Sequence, residues 1–170
     1  MTTSPIQHPS AHLGVPAQVP GLGTTVPGRA ALQTARRQRV ALLRDIQNLE
    51  RAIAVPARDP GWRPGVTASL GGLRGSFGAH VAVTEGPDGL YAELLDHAPR
   101  LARVVHVLIR EHAALAAAMA TLQRRLDLPE ARIEELRGWA SDLLRELSRH
   151  RQRGADLVYD AYATDIGGET

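Results

Sequence analysis

Residues 101–126 read LARVVHVLIREHAALAAAMATLQRRL, and the apolar positions in this run return at alternating steps of three and four. Leu101, Val105, Leu108, His112, Leu115, Met119, Leu122 and Leu126 therefore line one stripe of a helix. Ala113, Ala114, Ala116, Ala117 and Ala118 add the residue of highest helix propensity. Two further runs carry the same spacing. Upstream, Leu70, Leu73, Phe77, His80 and Thr84 form one line; downstream, Ile133, Leu136, Ala140, Leu143, Leu147, His150, Gly154 and Leu157 form another. In each line a single histidine interrupts an otherwise mostly apolar series.

Working outward, the spacing predicts a first helix over about Arg29 to Ala54, with Val40, Leu42, Leu43, Ile46, Leu49 and Ile53 facing inward. Pro56, Pro60, Gly61 and Pro64 make Val55 to Val66 a linker, with Trp62 capping one end of the core. A second helix follows over about Thr67 to Glu85. Gly86-Pro87-Asp88-Gly89 breaks the chain, since proline lacks an amide donor and crowds the preceding turn. A short helical piece, Leu90 to Leu95, leads to a third helix from about Ala98 to Leu126. The fourth is predicted from Asp127-Leu128-Pro129-Glu130, with Asp127 as cap and Pro129 in the first turn, to about Ala163. Four amphipathic helices with short connections imply an all-α, up-down-up-down four-helix bundle over residues 28–166. Residues 1–27, rich in Pro, Gly, Thr, Ser and Gln without a sustained period, are expected to form a disordered N-terminal arm.

Composition narrows the chemistry. The 170 residues suit one domain plus an extension, and with aromatics at 4% the core must be built from Leu, Val, Ile and Ala. Cysteine is absent, which removes disulfides, thiolate metal sites and cysteine nucleophiles. All 20 basic side chains are arginine, so Schiff-base lysine chemistry and a P-loop lysine are excluded as well. The formal charge is only +2, and no stacking aromatics accompany the arginine runs, so specific nucleic-acid binding is not expected. The start of the chain lacks the charged and apolar blocks of a secretory signal, and no unbroken apolar run of membrane-spanning length follows. The expected location is cytoplasmic, without a membrane partner.

The histidines carry the functional signal. His80 lies about as far before the turn at Leu95 to His97 as His112 lies after it, so antiparallel helices put the two at one level, with His150 about one helical turn away. Neutral imidazole is the commonest protein metal ligand, and helical cores build metal sites from facing side chains. A core histidine satisfied by a polar neighbour is the alternative for any one of them alone. His106 lies off its seam and His97 at a helix start, so both read as surface residues.

Several phrases resemble the hemerythrin-like (HHE cation-binding) family, a four-helix bundle that commonly carries a non-haem di-iron centre. Phe77-Gly78-Ala79-His80, followed by Glu85, is similar to its second-helix histidine and carboxylate; Glu111-His112-Ala113-Ala114-Leu115 to its third helix; His150, with Asp156-Leu157-Val158-Tyr159, to its last histidine, acidic residue and closing Leu-Tyr. The resemblance implies metal ligation by His80, His112, His150, Glu85 and Asp156, with iron as cofactor, manganese or zinc as alternatives, and a small diatomic ligand. Arg39 and Leu108 stand where the family offers further histidines, and Thr84 where it places its second-helix glutamate. Arginine is always charged and cannot ligate a metal.

Two readings stay open at this point. One is a reduced hemerythrin-like metal site. The other is a metal-free bundle in which Arg39, the acids and the histidines satisfy one another, acting through binding or regulation with a protein partner unknown. No nucleophile elbow or serine–histidine–acid set points to an enzyme.

Overall fold

The amphipathic runs all become helix. A computed structural model describes residues 27–163, which form α1 (Pro27–Ala54), α2 (Trp62–Glu85), α3 (Leu90–His97), a 3-10 turn (Pro99–Leu101), α4 (Ala102–Leu126) and α5 (Ile133–Ala163). Four of these helices are long, and no strand occurs among the described residues. The arm expected over 1–27 lies outside the described residues, save that Pro27 is the first residue of α1.

Three boundaries differ from expectation. Helix α2 starts at Trp62 rather than Thr67, absorbing Pro64. A first-turn amide has no intrahelical partner, so proline costs nothing there, and Asp59 Oδ1 accepts the Gly61 amide at 2.7 Å just ahead of it. Helix α4 starts after a 3-10 turn because Ala98, preceding Pro99, is held out of the helical region at φ −137°, ψ 70°. Helix α5 starts at Ile133, not Asp127. Asp127 instead ends α4 and accepts the Gln123 amide at 3.0 Å. The Arg63 guanidinium holds the intervening loop as turns, donating to the carbonyls of Leu126 (2.9 Å), Leu128 (3.0 Å) and Ala131 (2.7 Å).

Helix α1 packs chiefly on α2, and α4 on α5; α2 also lies against α4, and α1 against α5. The tight connection after α2 requires glycine, since a Cβ at Gly89 would sit 2.8 Å from the carbonyl oxygens of both Thr84 and Gly86. It returns α3 beside the end of α2 and places Tyr91 next to the histidines. Trp62 closes the far end of the core as expected, fully buried with its indole N–H donating to Ile53 O at 3.4 Å. Val40 departs from the expected inward stripe and is 70% exposed. The seam actually runs Ala35, Leu42, Ile46, Leu49 and Ile53, all buried, and Val40 falls off it.

The buried residues divide into two apolar clusters. The larger gathers residues such as Leu49, Trp62, Leu73, Phe77, Leu115, Met119, Leu136 and Leu147; the smaller gathers Ala35, Leu90, Tyr91, Leu94, Leu101, Val105, Leu108 and Leu157. On each long helix the seam passes between clusters at a polar residue: Arg39 on α1, His80 on α2, His112 on α4 and His150 on α5.

Residues Pro99–Leu126 do reach the length and mean hydropathy, 1.2, of a membrane span, although no unbroken apolar run of that length was expected. A core helix passes the same test, and here Val105, Leu108, His112, Leu115, Met119, Leu122 and Leu126 are buried along one side of α4.

Candidate metal centre

The three seam histidines meet. His112 Nε2 lies 3.0 Å from His150 Nε2, which lies 3.5 Å from His80 Nε2, and one ligand atom from each ring falls within 4.8 Å of the others. All three residues are buried. Each reaches the centre because its helix places it on the inward seam. One turn on, the Thr84 hydroxyl donates back to the carbonyls of His80 (2.9 Å) and Val81 (3.1 Å), which satisfies it within the helix. Phe77 forms one wall, its ring 5.6 to 6.4 Å from the three imidazole centroids. Tyr91 lies nearly parallel to His112, with ring centroids 6.0 Å apart.

The outer nitrogens are treated unequally. His112 Nδ1–H donates to Glu85 Oε1 at 2.5 Å, and His150 Nδ1–H donates to Glu111 Oε2 at 3.0 Å. Glu111 is itself held by an ion pair with Arg153. His80 Nδ1 is buried and has no partner among the described residues.

A carboxylate only accepts hydrogen bonds, so it assigns the proton to Nδ1 and leaves the Nε2 lone pair free. His112 and His150 therefore direct two lone pairs at each other across 3.0 Å. Protonation does not relieve this near neutral pH. Burial first, then the neighbouring His112, His150 and Arg39, pushes His80 down to about 3; burial and His150 push His112 to about 4; burial and Arg39 push His150 to about 4. The arrangement is three neutral imidazoles converging on one point, two of them braced by carboxylates.

Of the residues expected to ligate, His80, His112 and His150 come together and the two acids do not join them. Glu85 ends α2 and reaches the outer nitrogen of His112, where burial raises its pKa. Asp156 is exposed and accepts the Gln152 amide at 2.8 Å, because α5 stays helical through Gly154 and turns it away from the cluster. Glu111, cited above only as part of a motif, takes the place intended for Asp156, as a brace rather than a ligand. Its signal was its position beside His112, but which way that neighbour leans depends on the packing of α4 on α5. His97 and His106 are exposed as expected, bonded to Glu93 O and Ala102 O.

No known family model matches the chain, and comparison with curated proteins and with solved structures finds no match. The chemistry rests on the geometry.

Two openings flank the cluster. Arg39, half-buried, donates to Gly154 O at 2.9 Å rather than to an acid, and burial lowers its pKa. It lines a cavity of about 30 Å³ together with His80, Tyr91 and His150. On the other side, a groove of about 480 Å³ between α2 and α4 is lined by Phe77, Gly78, Val81, Glu85, Ile109 and His112. A Cβ at Gly71, Gly75 or Gly78 would touch nothing within 4 Å, so these glycines do not serve close helix packing. Gly78 borders the groove beside His112.

Proposed function

We propose that this protein is a metal-binding, hemerythrin-like four-helix bundle of up-down-up-down topology, in which the Nε2 atoms of His80, His112 and His150 hold one transition-metal ion. The observation that carries this reading is the pair of carboxylate-oriented lone pairs facing each other across 3.0 Å, with a third imidazole 3.5 Å from one of them. Such crowding is unfavourable without a cation between the rings. Ligands at a metal–nitrogen distance of about 2.0–2.1 Å stand roughly 2.9–3.4 Å apart, close to the separations found here. Carboxylates on the outer nitrogens of metal-binding histidines are the usual second layer of such sites, fixing tautomer and ring orientation.

The donor set favours one metal over two, and iron or zinc over manganese, which prefers oxygen ligands. When bound, the metal would supply Lewis acidity or, as iron, an affinity for a small diatomic such as oxygen or nitric oxide. The chain's own residues do the rest. Glu85 and Glu111 orient two rings, Phe77 excludes water from one side, and burial keeps the imidazoles neutral.

A second reading draws on Arg39, whose charge beside His80 and His150 opposes a cation. In it the histidine layer belongs to a metal-free bundle that acts by binding or regulation. Metal content separates the two. Freshly purified, untagged protein, loaded anaerobically with iron and analysed by plasma mass spectrometry, should retain about one metal per chain. A His80→Ala/His112→Ala/His150→Ala variant should retain none. Equal metal in both proteins, or none in either, removes the metal reading.

A further inference from the structure

The three histidines differ in one respect that the metal site leaves unresolved. Two outer nitrogens have carboxylate partners, whereas His80 Nδ1 is buried without one. His80 is 8% exposed, so bulk water does not satisfy it. An unsatisfied buried polar atom costs about 1–3 kcal/mol, and a ligating imidazole needs an acceptor at its second nitrogen to hold its tautomer.

The cavity of about 30 Å³ beside His80 has room for one or two water-sized groups, since about 10–15 Å³ of such space holds one water. Its wall carries the Arg39 guanidinium, bonded to the Gly154 carbonyl and, among the described residues, to no carboxylate. Arg151 lines the same cavity. A half-buried cation with spare donors, an orphaned imidazole nitrogen and a small cavity beside both together describe an anion site.

We propose that this cavity binds one small monovalent inorganic anion of halide size, which accepts hydrogen bonds from Arg39 and from His80 Nδ1–H. The anion does for His80 what Glu85 does for His112 and Glu111 for His150. It also neutralises Arg39, whose charge otherwise opposes a metal ion. Metal binding at the three histidines is therefore linked to anion binding, and this linkage rests on the metal reading above.

The test measures each half separately. Metal-free full-length protein in a gluconate buffer is titrated with chloride while the chlorine NMR line width is followed; cobalt(II) is then titrated, with and without chloride, by its visible absorption. The expected result is saturable broadening that disappears in Arg39→Gln and persists in Arg37→Gln, an exposed control. Cobalt affinity should rise about tenfold with chloride, the scale of one outer partner on a ligating histidine, and the rise should vanish in Arg39→Gln. Should circular dichroism show Arg39→Gln unfolded, Arg39→Lys takes its place, with broadening weakened because the fork of donors is lost. Broadening unchanged by the Arg39 substitution, or cobalt binding indifferent to chloride, overturns the inference while leaving the metal site standing. Arg39-dependent broadening without any cobalt binding supports the anion site and overturns the metal reading.

Discussion

The larger apolar cluster and the histidine layer beside it are built from the same helical seams but follow different rules. Around Leu49, Leu70, Leu73 and Leu136 the contacts are non-directional, and each side chain is buried among apolar neighbours. In the layer formed by His80, His112, His150 and Arg39 every contact has a direction, and each nitrogen needs a specific partner. The first arrangement stabilises the fold. The second constrains it and is costly unless something fills the centre, so a feature this expensive to bury points to function.

The comparison can be broken most readily with acid. In metal-free protein the histidines titrate from about 6.5 when unfolded to about 3 for His80 and about 4 for His112 and His150 when folded. The unfolded chain binds more protons, so stability is complete above about pH 6.5 and falls as pH drops toward those values. Going from pH 7 to pH 5 should remove up to about 2 kcal/mol per histidine. Urea unfolding at both pH values reads this loss. The triple alanine variant should be much flatter, and Leu49→Ala should keep the wild-type slope.

Core truncation comes next. Leu49→Ala should cost about 2–5 kcal/mol in denaturant unfolding, by lost transfer energy and a residual cavity, while leaving metal affinity intact in the folded protein. If it weakened metal binding as much as a histidine substitution does, the two regions would not be separable. His150→Ala should do the reverse. Its Nε2 neighbours both other rings, so cobalt affinity should fall more than about 100-fold, beyond the loss ascribed to an outer partner alone.

The smallest effects sharpen the layer itself. Glu111→Gln should weaken cobalt binding about 10–100-fold by loosening the His150 tautomer, whereas Asp156→Asn should change nothing measurable. A larger loss at Asp156 than at Glu111 would restore the ligand set that the family resemblance implied.

Periodicity explains what the sequence made legible. Leu101, Val105, Leu108, His112, Leu115, Met119, Leu122 and Leu126 are all buried, as their spacing demands, and so are Leu70, Leu73, Phe77, His80 and Thr84. The seam is a local property of the helix, and chain counting across turns brought His80 and His112 to one level, with His150 about one helical turn away. The acids were not legible in the same way. Glu85 ends α2 and Glu111 lies beside the seam in the middle of α4, and whether each reaches inward or braces from outside depends on how neighbouring helices lean. Helix starts failed for a related reason, since Pro64 is tolerated in a first turn and Arg63 captures carbonyls far away in sequence.

X-ray absorption on the zinc-loaded protein tests the central claim most directly, because it counts the imidazoles on the metal. The account predicts stoichiometric zinc with three histidine nitrogens at about 2.0–2.1 Å and the outer-shell signature of imidazole rings. An oxygen-dominated shell with a single imidazole, or no stoichiometric zinc at all, would contradict it.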